Sequence, residues 1–315
     1  MTQTTAIRAE RHAAFAYLFL AVGLLAVSMA AIFIRLAQAE GVPSLLIAAS
    51  RLTLASLALT PFVLTNTRHR QQIRSLSRFD LLLVVVAGIF LALHFATWVT
   101  SLEYTSVLIS VVLVTTTPIW VALLEVLVLR AKMTRYVVLG LVIAFAGGVM
   151  IGLGGSESSA SANDRSTWIG GALSLAGAVT VAVYLIAGRR VRPSLALTPY
   201  IWMVYGTAAI ALLCIVALRG IPLAGYSPGA YLLMIGLAVF PQLIGHTSYN
   251  YALAYLPATM VSIVSMAEPI GSAIIALLVF AEIPTRTQLL GSIIILVGVL
   301  TATLFQANFQ QKSEE

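Results

Sequence analysis

The sequence predicts an all-α integral membrane protein of ten transmembrane helices, built as two inverted five-helix repeats, and three observations carry that prediction. Of its 315 residues 60% are hydrophobic and 9% charged, with a mean hydropathy of +1.00, far from the composition of soluble domains. Apolar runs long enough to cross a bilayer, roughly 20 residues each, recur from Phe15 to Phe305. Superimposing Pro118 on Pro269 brings two halves into register: Tyr104 falls on Tyr255, Thr134 on Thr285, Arg135 on Arg286, Gly140 on Gly291 and Gly147 on Gly298.

The predicted spans are Phe15 to Ala37, Ser44 to Leu64, Leu81 to Ser101, Val107 to Leu129, Tyr136 to Leu153, Trp168 to Ala187, Leu197 to Leu218, Ala230 to Tyr251, Ala258 to Phe280 and Leu289 to Phe305. The first follows Arg8 and Arg11 and ends in Ala37-Gln38-Ala39, which imitates a signal peptide. It is too long for one, since a signal's apolar core is about 7 to 15 residues. In the fifth span Gly148 and Gly152, four apart, are expected to let helices approach closely. Cys214 in the seventh is the sole cysteine, which excludes an intramolecular disulfide or a thiolate metal cluster.

Five spans per half is an odd number, so the second half must enter the membrane from the opposite side. The charges agree. With a cytoplasmic N-terminus, the loops holding Arg68, Arg70, Arg74 and Arg78, then Arg130, Lys132 and Arg135, then Arg189, Arg190 and Arg192 all face the cytoplasm. The loops around Arg219 and Arg286 keep one arginine each and face outward. The expected units are residues 1–153, a polar linker at 154–166, and residues 167–315. Both termini are expected in the cytoplasm of a multi-pass protein of the cytoplasmic (inner) membrane. The net charge of +7 is spread over these short loops, so it reads as topology and no nucleic acid partner is expected. "GLGGSE" lacks the third glycine of a dinucleotide fingerprint and follows no strand, and no cofactor is expected.

In the ninth span Ser262, Ser265, Glu268 and Ser272 recur at helical spacing, with Glu268 near mid-membrane and Pro269 kinking the helix beside it. An acid there should be neutral, paired or open to a water-filled cavity. The fourth span repeats the design with Ser106, Ser110, Thr117 and Pro118, without the carboxylate. Paired interruptions in inverted halves point to a solute site between them; interhelical packing is the alternative. The third span aligns His94, Thr97, Trp98 and Ser101, and the eighth Gln242, His246, Tyr249 and Asn250. The histidines either face this cavity or bond a neighbouring helix, and their spacing supports no metal site. Glu125 is expected to pair with Arg130 or Lys132 at the cytoplasmic surface. Arg35 is expected to snorkel, and Arg51 to meet either an anionic substrate or a structural partner.

Ten spans in two halves, the Glu268-Pro269 pair and the Ala281-Glu282-Ile283-Pro284-Thr285 turn together resemble the EamA-type members of the drug/metabolite transporter superfamily over nearly the whole chain. The resemblance implies an alternating-access carrier of amino acids or other small metabolites, often an exporter, with a central cavity between the halves. Leu129-Arg130-Ala131-Lys132 replaces the family's usual Gly-Glu turn, and Thr117 stands where the second half has Glu268.

The function expected is therefore secondary transport, in the export direction, of a small polar or amphipathic metabolite in exchange for protons. Its partners are that substrate, protons and membrane lipids. Substrate contacts are expected from Glu268, Trp98, Tyr249, His94, His246, Asn250, Thr117, Ser265 and Ser272, with Glu268 also the coupling group and Pro118 and Pro269 the kinks. A passive channel is the alternative. An intramembrane enzyme is disfavoured because neither His-Glu-x-x-His nor Gly-x-Ser-x-Gly occurs.

Overall fold

Prolines stand at several of the places where the helices of this chain stop being continuous, among them Pro43, Pro118, Pro257 and Pro269. The computed structural model describes residues 3–105, 107–130, 133–154, 164–280, 286–287, 289–291 and 293–301, and these are helical with short turns. The helices are α1 (Gln3–Val27), α2 (Ala30–Ala39), α3 (Ser44–Leu64), α4 (Thr67–Arg74), α5 (Arg78–Tyr104), α6 (Val107–Val114), α7 (Thr117–Leu129) and α8 (Arg135–Gly154). They continue with α9 (Asp164–Val191), α10 (Leu197–Leu218), α11 (Pro228–Leu237), a π-helical segment (Ala238–His246), α12 (Thr247–Ala252), α13 (Ala258–Ser265), α14 (Glu268–Phe280) and α15 (Leu289–Thr301). Among the described residues six stretches are long and apolar enough to cross a membrane: Ala14–Ala39, Ser44–Leu64, Arg78–Tyr104, Trp168–Val191, Leu197–Leu218 and Pro228–Ala252. The other predicted spans are present as shorter apolar helices or as the broken pairs α6/α7 and α13/α14. Most of the 154–166 linker and the whole 281–285 turn lie outside the described residues.

Packing relates the halves. α5 lies along α9, and α1 lies along the π segment and α12, which is the same contact made by the equivalent pair. α3 packs on α10, its own equivalent. The pairing of α8 with α15 is reciprocal to the residue: a Cβ on Gly147 would sit 2.6 Å from the Gly291 carbonyl, and one on Gly298 would sit 2.6 Å from the Gly140 carbonyl. These residues are the repeat-mates named above, and the pairing makes the two helices antiparallel. Gly148, expected to mediate close packing, has nothing within 4 Å. The contact belongs to the neighbouring face, because residues one apart on a helix point about 100° apart.

Helix breaks depart from expectation in two places. The first predicted span is interrupted at Ser28–Met29 without a proline. The eighth contains Pro241 within the π segment, where an extra residue per turn absorbs the missing N–H.

Glu125 also departs from expectation. It is 4% exposed and, among the described residues, forms no ion pair with Arg130; Lys132, its other expected partner, lies outside the described residues. Its carboxylate accepts the Ala258 N–H at 2.7 Å and the Thr259 hydroxyl, closing the N-terminus of α13, whose own cap residue, Pro257, has no side-chain oxygen to offer. A carboxylate at a helix N-terminus also meets the positive end of the helix dipole. Arg130, the C-cap of α7, is left exposed at φ 51° and ψ 33°, the left-handed region that favours glycine. Arg35 donates to the Thr105 carbonyl at 3.3 Å, holding the end of α5.

Candidate functional site

Where Pro118 and Pro269 break their helices, the two interrupted spans and α5 surround a buried cavity. Without an N–H, Pro118 leaves the Val114 carbonyl of the preceding turn without its helical partner, and the Thr117 hydroxyl donates to that carbonyl at 2.6 Å. Glu268 occupies the equivalent position in the second half. Among the described residues its carboxylate has no hydrogen-bond partner, and it is half-buried on the cavity wall.

The cavity has a water-accessible volume of ≈ 70 Å³. That is room for a few waters and small against the roughly 300 to 1,000 Å³ of ligand pockets, so it must widen to admit an organic solute. Its wall comes from both halves: Val27 and Ala30 beside the break in the first span, Arg51 of α3, His94 and Trp98 of α5, Thr115 and Thr117 at the α6/α7 break, and Val181, Tyr184 and Leu185 of α9. The π segment and α12 add His246 and Tyr249, and Ser262, Ser265 and Glu268 close it from α13 and α14.

Seven of the nine expected contact residues thus border the cavity: Glu268, Trp98, Tyr249, His94, His246, Thr117 and Ser265. Asn250 and Ser272 do not. Asn250 is fully buried and donates through Nδ2 to the His246 carbonyl at 2.8 Å and to the Tyr205 hydroxyl at 3.4 Å. The π segment lengthens the turn, so the α-helical spacing from Gln242 to Asn250 no longer keeps one face. Ser272 lies beyond the Met266–Ala267 break, which turns α14 away from the register of α13, and donates to the Ser28 carbonyl at 2.9 Å. Ser28 in turn donates to the carbonyls of Leu24 at 2.7 Å and Glu268 at 3.3 Å. The breaks of the first and ninth spans therefore brace each other. Of the remaining expected stripe residues, Ser110 shares hydrogen bonds with Ser101 at 2.7 Å and Ser174 at 3.1 Å, binding α6 to α5 and α9.

An aromatic wall runs along one side. His94 donates through Nδ1 to the Gly177 carbonyl at 2.9 Å, which fixes its tautomer, and stacks on Trp98 with centroids 5.9 Å apart and planes 12° apart. His246 packs between Phe95, Tyr184 and Tyr249 at 5.2, 6.4 and 6.1 Å. Among the described residues no group of three His, Cys, Asp or Glu side chains could hold a metal ion.

Arg51 is the residue whose place sequence reasoning left open. It is 0% exposed, its guanidinium lies 4.0 Å over the Phe95 ring, and Nε donates to Gln242 Oε1 at 3.1 Å. Among the described residues neither terminal nitrogen has a hydrogen-bond partner, nor do Trp98 Nε1, His246 Nδ1 and the Tyr249 hydroxyl. All belong to cavity-lining residues.

Comparison with known proteins agrees with this architecture. The EamA-like transporter family matches residues 14–153 and again 168–304, one copy per half. An uncharacterized transporter of Bacillus subtilis (strain 168), YyaM, is 26% identical over 254 residues, spanning 79% of this chain and 80% of its own. An uncharacterized transporter of Archaeoglobus fulgidus is 34% identical over 74 residues, 24% of this chain and 27% of its own. One crystal structure superposes with a TM-score of 0.75 over 94% of this chain and 99% of its own at 19% identity, a likeness of fold.

Proposed function

Because the chain belongs to the EamA-like transporter family, whose relatives here are named as transporters, we propose that it is a proton-coupled secondary carrier exporting a small amino-acid-like or amphipathic metabolite across the cytoplasmic membrane. The carrying observation is the cavity at the two proline breaks, whose wall holds Glu268 and polar groups of both halves that find no partner among the described residues. Ten spans, cytoplasmic termini and an inverted second half complete the reading, supported by the arginine-rich loops and by the antiparallel, residue-by-residue reciprocity of α8 and α15.

In the cycle Glu268 carries a proton in one state and faces the substrate's cationic group in the other. An ionised acid in the membrane interior is costly unless compensated, so proton and substrate cation are alternative ways to neutralise the same carboxylate. Trp98, Tyr249 and the histidines offer flat apolar walls with polar edges to an amphipathic solute. Thr117 and Ser265, with hydroxyls already bonded to their own helices, supply shape at the breaks. The narrowness of the cavity suits a protein that exposes it to one side at a time.

Counterflow in proteoliposomes tests the carrier reading. Vesicles loaded with an unlabelled mixture of free amino acids should transiently concentrate the same mixture, radiolabelled, from outside, and Trp98→Ala should weaken uptake at normal protein yield. Flux that neither saturates nor responds to internal substrate would make the protein a channel.

A further inference from the structure

We propose that a second pocket, at the ends of α5, α7 and α9, binds the headgroup of a phospholipid, with Arg189 and Arg190 on its phosphodiester and Asp80 on a hydrogen-bond donor at its far end. The proposal goes beyond the carrier reading and borrows from it only the topology, which puts this pocket at the cytoplasmic leaflet.

The pocket has a water-accessible volume of ≈ 550 Å³ and is lined by Asp80, Leu129, Arg189, Arg190, Pro193 and Ser194, none of which borders the central cavity. That volume lies within the roughly 300 to 1,000 Å³ of ligand pockets. Its depth fits a headgroup. The apolar stretches of α5 and α9 run Arg78–Tyr104 and Trp168–Val191, so Asp80, Arg189 and Arg190 stand just inside the ends of two candidate membrane spans. Beside the lining residues in sequence, Phe79 is 59% exposed and Val128 62%, and Leu82 and Leu127 are exposed as well. Apolar surface next to a basic pocket at this depth suits acyl chains attached to a charged head, whereas a soluble anion would use the charges alone.

The charges set what the headgroup must be. Arg189 is half-buried, and its Nη1 donates to the Leu253 carbonyl at 2.9 Å, its one hydrogen bond among the described residues. That bond holds the guanidinium in place and leaves most of its donors to other acceptors. Arg190 beside it is exposed. Guanidinium forks suit the two unesterified oxygens of a phosphodiester. Asp80 brings the opposite requirement. Its Oδ2 accepts from the Ser77 hydroxyl at 2.7 Å and its N–H donates to Ser77 Oγ at 3.0 Å, which fixes the carboxylate at the start of α5. An ionised carboxylate only accepts, so the group that meets it must donate. The hydroxyls of a glycerol headgroup and the ammonium of an ethanolamine headgroup do so; the trimethylammonium of choline has no N–H. A doubly charged free phosphate would meet Asp80 with like charge. Arginines that served only to orient the chain would need no acid among them, because the positive-inside bias counts Lys and Arg and is nearly indifferent to Asp and Glu.

Thermal shift on the purified, delipidated protein in a neutral detergent tests the site, with short-chain phosphatidylglycerol, phosphatidylethanolamine, phosphatidylcholine or inorganic phosphate added. The first two lipids should stabilise the protein and bind about tenfold more tightly than phosphatidylcholine, and inorganic phosphate should not stabilise it at the same concentrations. Arg190→Gln should weaken both preferred lipids about five- to tenfold, whereas Arg74→Gln, which removes an exposed arginine of α4 outside the pocket, should leave them unchanged. Asp80→Ala, which keeps the backbone N–H on Ser77, should erase the preference over phosphatidylcholine. Equal binding of all three lipids, binding of none, or equal losses in Arg190→Gln and Arg74→Gln would overturn the site. Inorganic phosphate that stabilises as well as the lipids would overturn the lipid in favour of a soluble anion. Should Asp80→Ala fail to fold, the lipid series on the wild-type protein and the two arginine variants still decide. No readout uses transport, so the site and the carrier reading stand or fall separately.

Discussion

Thr117 and Glu268 hold the same place in the two halves of the chain, each directly before the proline that breaks its span, and they do different things there. Thr117 turns inward and donates to the Val114 carbonyl that Pro118 leaves behind, so the first break is chemically closed. Glu268, when ionised, has no proton to donate, its carboxylate bonds to no described protein group, and it opens onto the cavity. The same proline break occurs in both halves; in one the freed carbonyl is bonded, and in the other the preceding carboxylate lines the cavity. The flanks differ in the same sense. The break at Glu268 is braced from outside by Ser28, whereas the acid that closes a helix end, Glu125, comes from the first half and serves the second. In the second half the residue superposing on Glu125 is Ala276.

Glu125→Ala should break the comparison hardest. It leaves the Ala258 N–H and the Thr259 hydroxyl buried without their acceptor, a loss of about 2 to 4 kcal/mol for a charged cap. Unfolding of the purified variant in detergent checks it, and stability within error of wild type would mean the cap is idle.

Gly271→Ala comes next. A Cβ there would lie 2.1 Å from Ser28 Oγ, so the two braced breaks must part, at about 1 to 3 kcal/mol. Adding Ser28→Ala should return part of the loss, since it removes the clashing hydroxyl. Two penalties that simply add would show that the residues do not communicate.

Thr117→Val is the smallest effect, about 1 kcal/mol of stability from the hydroxyl's bond to Val114, with transport close to wild type. A variant that stops transporting would place Thr117 on the same footing as Glu268.

Hydropathy and proline together made most of this legible. The apolar runs located the helices, and Pro118 and Pro269 located two of the breaks, because both signals act on the chain locally. What escaped depends on contacts distant in sequence. No local signal marks the break at Ser28, which is held from the Glu268–Ser272 segment. Pro241 did mark the eighth span, but its outcome, a π turn that carries Asn250 off the cavity, could not be read from α-helical spacing. Glu125 was paired by nearness in sequence with Arg130 or Lys132, and the hydrogen bonds it makes among the described residues reach α13. Arg51 was visible as a charge within a span; that its terminal donors are unused appears only once Gln242 and Phe95 are folded around it.

The central claim is that the open break, and not the sealed one, couples protons to substrate. Proteoliposomes holding wild type, Thr117→Val or Glu268→Gln, assayed for radiolabelled amino-acid flux with and without an imposed pH gradient, test it most directly. Wild type and Thr117→Val should speed up with the gradient, while Glu268→Gln should still exchange substrate for substrate at a rate indifferent to it. A Glu268→Gln protein with wild-type rates and an unchanged pH profile would contradict the account, leaving Glu268 a structural acid.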